Sequence, residues 1–321
     1  MAEALNYQQG ETIDWTADAT YAEGDIVQLN DGRCGWVVND CVSGDLTAVQ
    51  VTGVVKVAKT TTMVLLNGGR AYWDHSANKV NYKKVNDRDF YMGRLTADAA
   101  SADTVCYVAL NIDPAYDIDI LRDAALSVAT GTQAAGGFGL PKVYGGAQSL
   151  ALTSTNEAQC IDLLSVDRFD KNANAIIEGI FRLGTNGSTS DVDLNFGIAN
   201  GTSTTDFDAT TEHVAFHIDG GTLTILAQSK DGTTTVSATT TGVSATAASA
   251  VADRVEFWID CRDTANVKLY VNSARVISGS TFKIDGATGP FGLIAHLEKV
   301  SGTATAGPVY LDALRCRLGQ I

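Results

Sequence analysis

The sequence predicts a mainly β protein in two domains, and three observations carry that reading. Its 321 residues exceed what one hydrophobic core usually organises. Residue usage leans on Gly, Ala, Thr, Val and Asp with only four prolines, which suits short strands and tight turns better than long helices. Asn-Gly recurs at Asn67, Asn186 and Asn200, and Asp-Gly at Asp31, Asp219, Asp231 and Asp285. These dipeptides supply the positive φ of hairpin turns.

Between the turns the pattern has period two. Val192, Leu194, Phe196 and Ile198 alternate with Asp193 and Asn195. Val255, Phe257, Ile259 and Cys261 alternate with Glu256, Trp258 and Asp260, and Val267, Leu269 and Val271 with Lys268, Tyr270 and Asn272. Such alternation predicts half-buried antiparallel strands. Residues 1–111 read as a small β-domain behind an N-terminal arm. Residues 112–150 read as a connector: they hold two of the four prolines and two Gly-Gly pairs. One short helix is expected there, with Asp117 as N-cap, Leu121, Ala125 and Val128 along one face, and Gly131 beyond its end. Residues 151–321 read as nearly continuous strands, best buried as two packed antiparallel sheets in jelly-roll style. The Thr-rich run 232–249 is expected at a sheet edge.

The formal charge is −14, and the sole basic clump is Lys83-Lys84 beside Arg88, which argues against nucleic acid as a partner. No stretch approaches the roughly 18 to 20 apolar residues of a membrane-spanning helix, so no membrane partner is expected. "MAEALNYQQG" has neither a basic n-region nor an apolar h-region, so no secretory signal is expected. The six cysteines, scattered without CxxC, are expected reduced and buried; Cys34 and Cys41 are the pair a hairpin would bring face to face.

Catalytic patterns are sparse. His213 and His217 of "HVAFH" would converge on one ion from a helix, but on a strand they lie about 13 Å apart. The pairs Asp117/Asp119, Asp191/Asp193 and Asp206/Asp208 have near-glycosidase spacing on a strand, yet any polar strand face offers it. There is no GxSxG, no phosphate loop, and no cysteine with a histidine within several residues; a spatial pairing is beyond what the sequence displays. No catalytic residue, metal ligand or cofactor is therefore assigned, and the chain is read as a non-enzyme. "GGRAYWDHSANKV" (68–80) places Asp74 beside His75, either half of a proton relay or a hairpin whose Asp74 satisfies turn amides. The turn is the favoured reading.

The order of several motifs over residues 6–111 resembles the phage capsid cement (head-decoration) family. They are Ile13-Asp14-Trp15-Thr16, Gly24-Asp25-Ile26-Val27, Gly53-Val54-Val55 running to Lys59, Tyr72-Trp73-Asp74, Gly93-Arg94-Leu95, and Ala99-Ala100 before Leu110. The resemblance implies a small β-barrel-like, β-tulip domain that decorates and stabilises tailed-phage capsids. Its implied partners are the major capsid protein and itself, as a homotrimer, on the outer capsid surface of a virion after synthesis in the host cytoplasm. The N-terminal arm is the implied capsid contact, through Tyr7, Gln8, Thr12, Ile13 and Trp15.

Residues 151–321 are similar in pattern to the concanavalin-like lectin and glucanase sandwiches appended to phage structural proteins, most of all in "VEFWIDCRDTANVKLYVNSARV" (255–276). That implies a jelly-roll (concanavalin-like) β-sandwich displayed outward, with host-surface carbohydrate as a candidate partner. Tyr72, Trp258 and Tyr270 are the aromatics assigned to an interface or to sugar stacking. The alternative reading is a free carbohydrate-binding, lectin-like protein without a capsid role.

Overall fold

A computed structural model describes residues 11–122, 124–129, 148–153, 155–184, 192–203, 206–247, 253–299 and 309–319. The chain forms two compact units, Met1–Ala115 and Tyr116–Ile321. Both are built from antiparallel strands.

The first unit holds β1 (Thr12–Thr16), β2 (Ile26–Gln28), β3 (Cys34–Val37), β4 (Leu46–Gln50), β5 (Val54–Ala58), β6 (Arg70–Asp74), β7 (Lys79–Asn81), β8 (Phe90–Leu95) and β9 (Val105–Leu110). A four-stranded sheet runs β1-β4-β3-β2, and a five-stranded sheet runs β5-β9-β8-β6-β7. Two matched turns shape the first sheet. In "YAEGD" and "CVSGD", Gly24 and Gly44 take φ of +90° and +93°, where only glycine is unstrained. Asp25 and Asp45 accept hydrogen bonds from the amides of Ala22 and Val42, three residues back. Tyr21 and Cys41, which open the two turns, exchange backbone hydrogen bonds.

Ile13, Trp15 and Tyr21 pack onto a small core of Val27, Val37, Val49 and Val51. The two sheets are tied by Asn111, whose side-chain amide accepts from Cys34 N–H and donates to the carbonyls of Cys34 and Val51. The edges of the five-stranded sheet also meet, because Thr60 N–H donates to Val80 O and Lys59 bridges Val80. That curls the sheet toward closure, in line with a barrel-like domain. Gly93 (φ +153°) explains its place in the Gly-Arg-Leu motif, since a Cβ there would collide with Ala109 O on β9.

The second unit holds β10 (Ile118–Asp119), β11 (Ala124–Ala129), β12 (Gln148–Leu150), β13 (Gln159–Ser165), β14 (Ile176–Leu183), β15 (Val192–Ala199), β16 (Glu212–Asp219), β17 (Thr224–Asp231), β18 (Thr235–Ser244), β19 (Val255–Asp260), β20 (Lys268–Val271), β21 (Ala274–Val276), β22 (Gly292–Lys299) and β23 (Val309–Arg317). One sheet runs β10-β23-β14-β19-β20-β21, with β12 also on β23; the other runs β11-β13-β22-β15-β16-β17-β18. The residues predicted to face inward do so. Phe181 and Phe257 of the first sheet meet Phe196 and Phe216 of the second, with ring centroids 4.5 Å apart for Phe181–Phe196 and 5.2 Å for Phe216–Phe257. The Thr-rich run supplies edge strand β18, as expected.

The connector reading needs correction, because Tyr116 onward belongs to the second unit. The expected helix is absent: Ile118–Asp119 pairs with β23 and Ala124–Ala129 pairs in register with β13. Asp117 caps nothing helical, its Oδ2 accepting from Leu318 N–H, and Asp119 pairs with Arg315. An isolated helix of about three and a half turns is marginal on its own, whereas an open strand edge offers a full ladder. Gly131, its expected stop, lies outside the described residues.

Candidate functional site

Two surfaces stand out, one on each unit. On the first unit, β5 and β9 pair Val54 with Ala109, Lys56 with Tyr107 and Ala58 with Val105. The alternate residues Val57, Cys106 and Val108 point into the core. The outer face therefore presents Val54 (60% exposed), Tyr107 (44%) and Val105, an apolar stripe with Lys56 in it. A groove of about 800 Å³ runs along Val54–Ala58 and is walled by Ile26, Trp36, Trp73 and His75. Backbone pairing with β7 begins only at Lys59 and Thr60, so along Val54–Ala58 β5 keeps an edge, and the groove borders backbone that a guest strand could pair with.

The arm residues fall differently from expectation. Tyr7 and Gln8 lie outside the described residues. Thr12, Ile13 and Trp15 are not a free arm: they belong to β1, paired with β4, with Ile13 and Trp15 turned onto the core and Thr12 outward. Ile13 and Trp15 share one side of the strand, and Thr12 lies on the other. Tyr72 is half-buried and packs edge-on against Tyr91, while Trp73 is buried.

The Asp74–His75 question resolves as a turn. Asp74 Oδ1 accepts from the amides of Ser76 and Ala77 and from the Ser76 hydroxyl, and these bonds, the hydroxyl's first, hold its carboxyl below the usual range. His75 is exposed, and its backbone amide donates to Asp89.

On the second unit, the outer face of the β11–β18 sheet carries a buried polar cluster. Neighbouring strands β13 and β22 place Cys160 opposite Glu298 and Asp162 opposite His296, all four on one face. His296 Nδ1 lies 2.6 Å from Asp162 Oδ1, and Nε2 lies 2.7 Å from Glu298 Oε2. Cys160 Sγ sits 3.7 and 3.8 Å from the two ring nitrogens, and 3.3 Å from Ser203 O. With a carboxylate on each nitrogen the ring is an imidazolium. Burial alone would lower its pKa, but the bonds to Asp162, Cys160 and Glu298 outweigh burial and hold it well above 6.5. Burial pushes the Cys160 thiol up, against the pull of His296.

Ser203 and the turn Phe207–Ala209 cover this cluster. Phe207 is buried, its N–H donates to Glu298, and its ring packs 4.7 Å from His213 and 5.6 Å from His296. Gln228 and Lys230 of β17 bond Asp208 from the other side. The thiol, imidazole and carboxylate that a nucleophilic hydrolase would use are thus together, but His296 is 0% exposed and no substrate carbonyl reaches it. Sequence reasoning assigned no such group, because Cys160 and His296 stand far apart along the chain. Its signal was two strands, "CID" and "HLE", each with polar residues two apart in otherwise apolar runs.

His213 and His217 do share a strand, and they point to separate partners: His217 to Asn195 and Asp193, His213 to Phe207. Trp258 and Tyr270 lie on the other sheet, 6% and 5% exposed, with rings 6.0 Å apart and Trp258 Nε1 donating to Glu256. Neither ring offers an open face for a sugar.

Residues 7–110 match the phage cement protein family. The match spans about a third of the chain and coincides with the first unit. Among curated proteins, none matches the chain. Solved structures similar to it include the Emp46p carbohydrate recognition domain in its potassium-bound form, 13% identical, covering 63% of this chain and 91% of that one with a TM-score of 0.42. A protein with galectin-like fold from Bacillus subtilis is 11% identical, with coverages of 62% and 90% and a TM-score of 0.38. The carbohydrate-binding module CBM66 from Bacillus subtilis is 12% identical, with coverages of 61% and 96% and a TM-score of 0.34. At these scores the likeness carries no argument about what the second unit binds.

Proposed function

We propose that the chain is a virion structural protein that decorates and stabilises the outer surface of a phage capsid. The cement-family match of the first unit carries this reading. The chain's partners are the major capsid protein and two further copies of itself, and it is made in the host cytoplasm before joining the virion. Docking uses the stripe of Val54, Val105 and Tyr107 with the adjoining β5 edge, an apolar surface of the kind that marks an interface. Residues before β1, Tyr7 and Gln8 among them, extend that contact along the shell. Each copy buries surface between capsomers, and many copies acting together add up to a stabilised shell. The second unit is displayed outward as a jelly-roll domain, and no catalytic step is assigned to it.

Co-sedimentation with mature heads stripped of decoration tests the proposal. The full chain should saturate the shells, and Val54→Asp with Tyr107→Asp should weaken binding at least about tenfold, one tenfold step being near 1.4 kcal/mol. A chain that ignores the shells but is retained by immobilised glycan and released by free sugar would overturn the capsid reading in favour of a free carbohydrate-binding protein.

A further inference from the structure

We propose that Cys160, Asp162 and His296 form a metal site for a thiophilic divalent ion, zinc above others, with Glu298 as the outer carboxylate that orients the histidine. The three donor atoms lie within 4.8 Å of one another and are buried. A thiolate and an imidazole select zinc over calcium or magnesium, which prefer all-oxygen shells. A tetrahedral zinc, with bonds near 2.3 Å to sulfur and 2.0 to 2.1 Å to nitrogen, holds its sulfur and nitrogen ligands about 3.5 Å apart. The observed Sγ–Nδ1 separation is 3.7 Å and Sγ lies 3.9 Å from Asp162 Oδ2, but Sγ is also 3.8 Å from Nε2, so the sulfur sits over the ring face and not along the Nδ1 lone pair. Loading needs the thiol to turn about its Cα–Cβ bond and Asp162 Oδ1 to withdraw from Nδ1.

The outer shell is already in place. Metal-bound histidines almost always donate their second N–H to a carboxylate or carbonyl. Glu298 Oε2 stands 2.7 Å from Nε2 and is itself fixed by the Phe207 amide. Beside it, Asn195 lies opposite His296 in the ladder, is 1% exposed, and its Nδ2 has no partner among the described residues. A buried amide N–H without an acceptor is costly. An acceptor oxygen brought within reach of Nδ2 would relieve that cost.

Charge favours the exchange too. The metal displaces the thiol proton and the Nδ1 proton, both released to solvent, so a divalent ion replaces two protons and the net charge of the buried group is unchanged. Binding an uncompensated cation or anion there would leave a buried charge unpaired.

The test uses the full chain, stripped with chelator and loaded with one equivalent of cobalt(II), once by incubation and once by refolding in its presence. The expected result is a thiolate-to-cobalt charge-transfer band with tetrahedral visible bands, displaced by zinc, and release of about two protons per zinc in weakly buffered solution. Cys160→Ser should abolish the charge-transfer band, and a cooperative melt of the metal-free variant checks that the fold is kept. Glu298→Gln should keep the band but weaken zinc binding roughly 10- to 100-fold. No thiolate band under either loading, or an undiminished band in Cys160→Ser, would overturn the proposal and leave a purely proton-linked polar core.

Discussion

The outer faces of the two units are inverted in character. On the first unit the face of β5 and β9 is apolar and open; on the second, the face of the β11–β18 sheet is polar and closed. Each departs from the ordinary arrangement of polar outside and apolar inside, and the departures have different physics. An exposed apolar stripe has little effect on folding but lowers the free energy of docking, so it marks a partner outside the chain. A buried polar cluster must be satisfied within the chain, because each unpaired member costs desolvation without return. The first face should therefore govern association and the second stability, and substitutions can separate the two.

The largest stability effect is expected from His296→Leu in metal-free protein. Removing the imidazolium leaves Asp162 and Glu298 facing an apolar side chain and each other, and breaking a buried ion pair from one side typically costs about 3 to 5 kcal/mol. Urea unfolding at neutral pH measures it. A loss below about 1 kcal/mol would mean that water reaches the cluster and the face is not closed.

Next comes the pH dependence, in which the shifts of His213 and Asp193 oppose each other between pH 6.5 and 4. His213 is buried and its pKa is pushed down to about 4, chiefly by burial. In the unfolded chain the ring titrates near 6.5, so between pH 6.5 and 4 the unfolded state takes up a proton that the folded state refuses. Stability contributed at neutral pH is lost across that window, by up to about 3 kcal/mol. Asp193 acts the other way. Burial first, then Glu298, Asp219 and Asp206 against the pull of His217, raise it to about 6, so the folded state binds its proton more tightly and gains stability as pH falls below 6. His213→Phe should remove the acid loss and expose the Asp193 gain, reversing the sign of the slope between pH 6 and 4.5. An unchanged slope would place the acid sensitivity elsewhere.

What the sequence made legible follows from the range of the interactions involved. Strand faces were readable because period two is local: Phe196, Phe257 and Leu269 point inward where their alternation put them. The Asp74 turn was readable for the same reason, the amides that donate to it lying two and three residues away. Residues 124–129 were misread as helix because their fate depends on the open edge of β13, a partner distant in sequence. The Cys160–His296 cluster was invisible because it exists only through the register of β13 on β22. Trp258 and Tyr270 were placed on the correct strand faces, but alternation does not reveal whether an outer face is covered.

A smaller effect is expected at Asp74→Ala. It removes one acceptor that serves two turn amides and a hydroxyl, and losing such a cap-like acceptor costs about 0.5 to 2 kcal/mol. Because His75 is exposed and Asp74 serves the turn, His75→Ala should change stability by no more than about 0.5 kcal/mol. Equal losses from the two substitutions would revive a coupled Asp74–His75 pair.

The smallest stability effect belongs to the open face, and there the smallness is the point. Val54 and Tyr107 are 60% and 44% exposed, so Val54→Asp and Tyr107→Asp give up little burial, and surface changes of this kind usually stay within about 0.5 kcal/mol. Thermal melting should find the double variant near wild type even while shell binding fails. Loss of stability and loss of binding in proportion would mean that these side chains are part of the unit's own packing. Loss of binding with the melting point intact is the signature of a surface whose apolar character serves a partner, and it would set β5 and β9 apart from every buried strand face in the molecule.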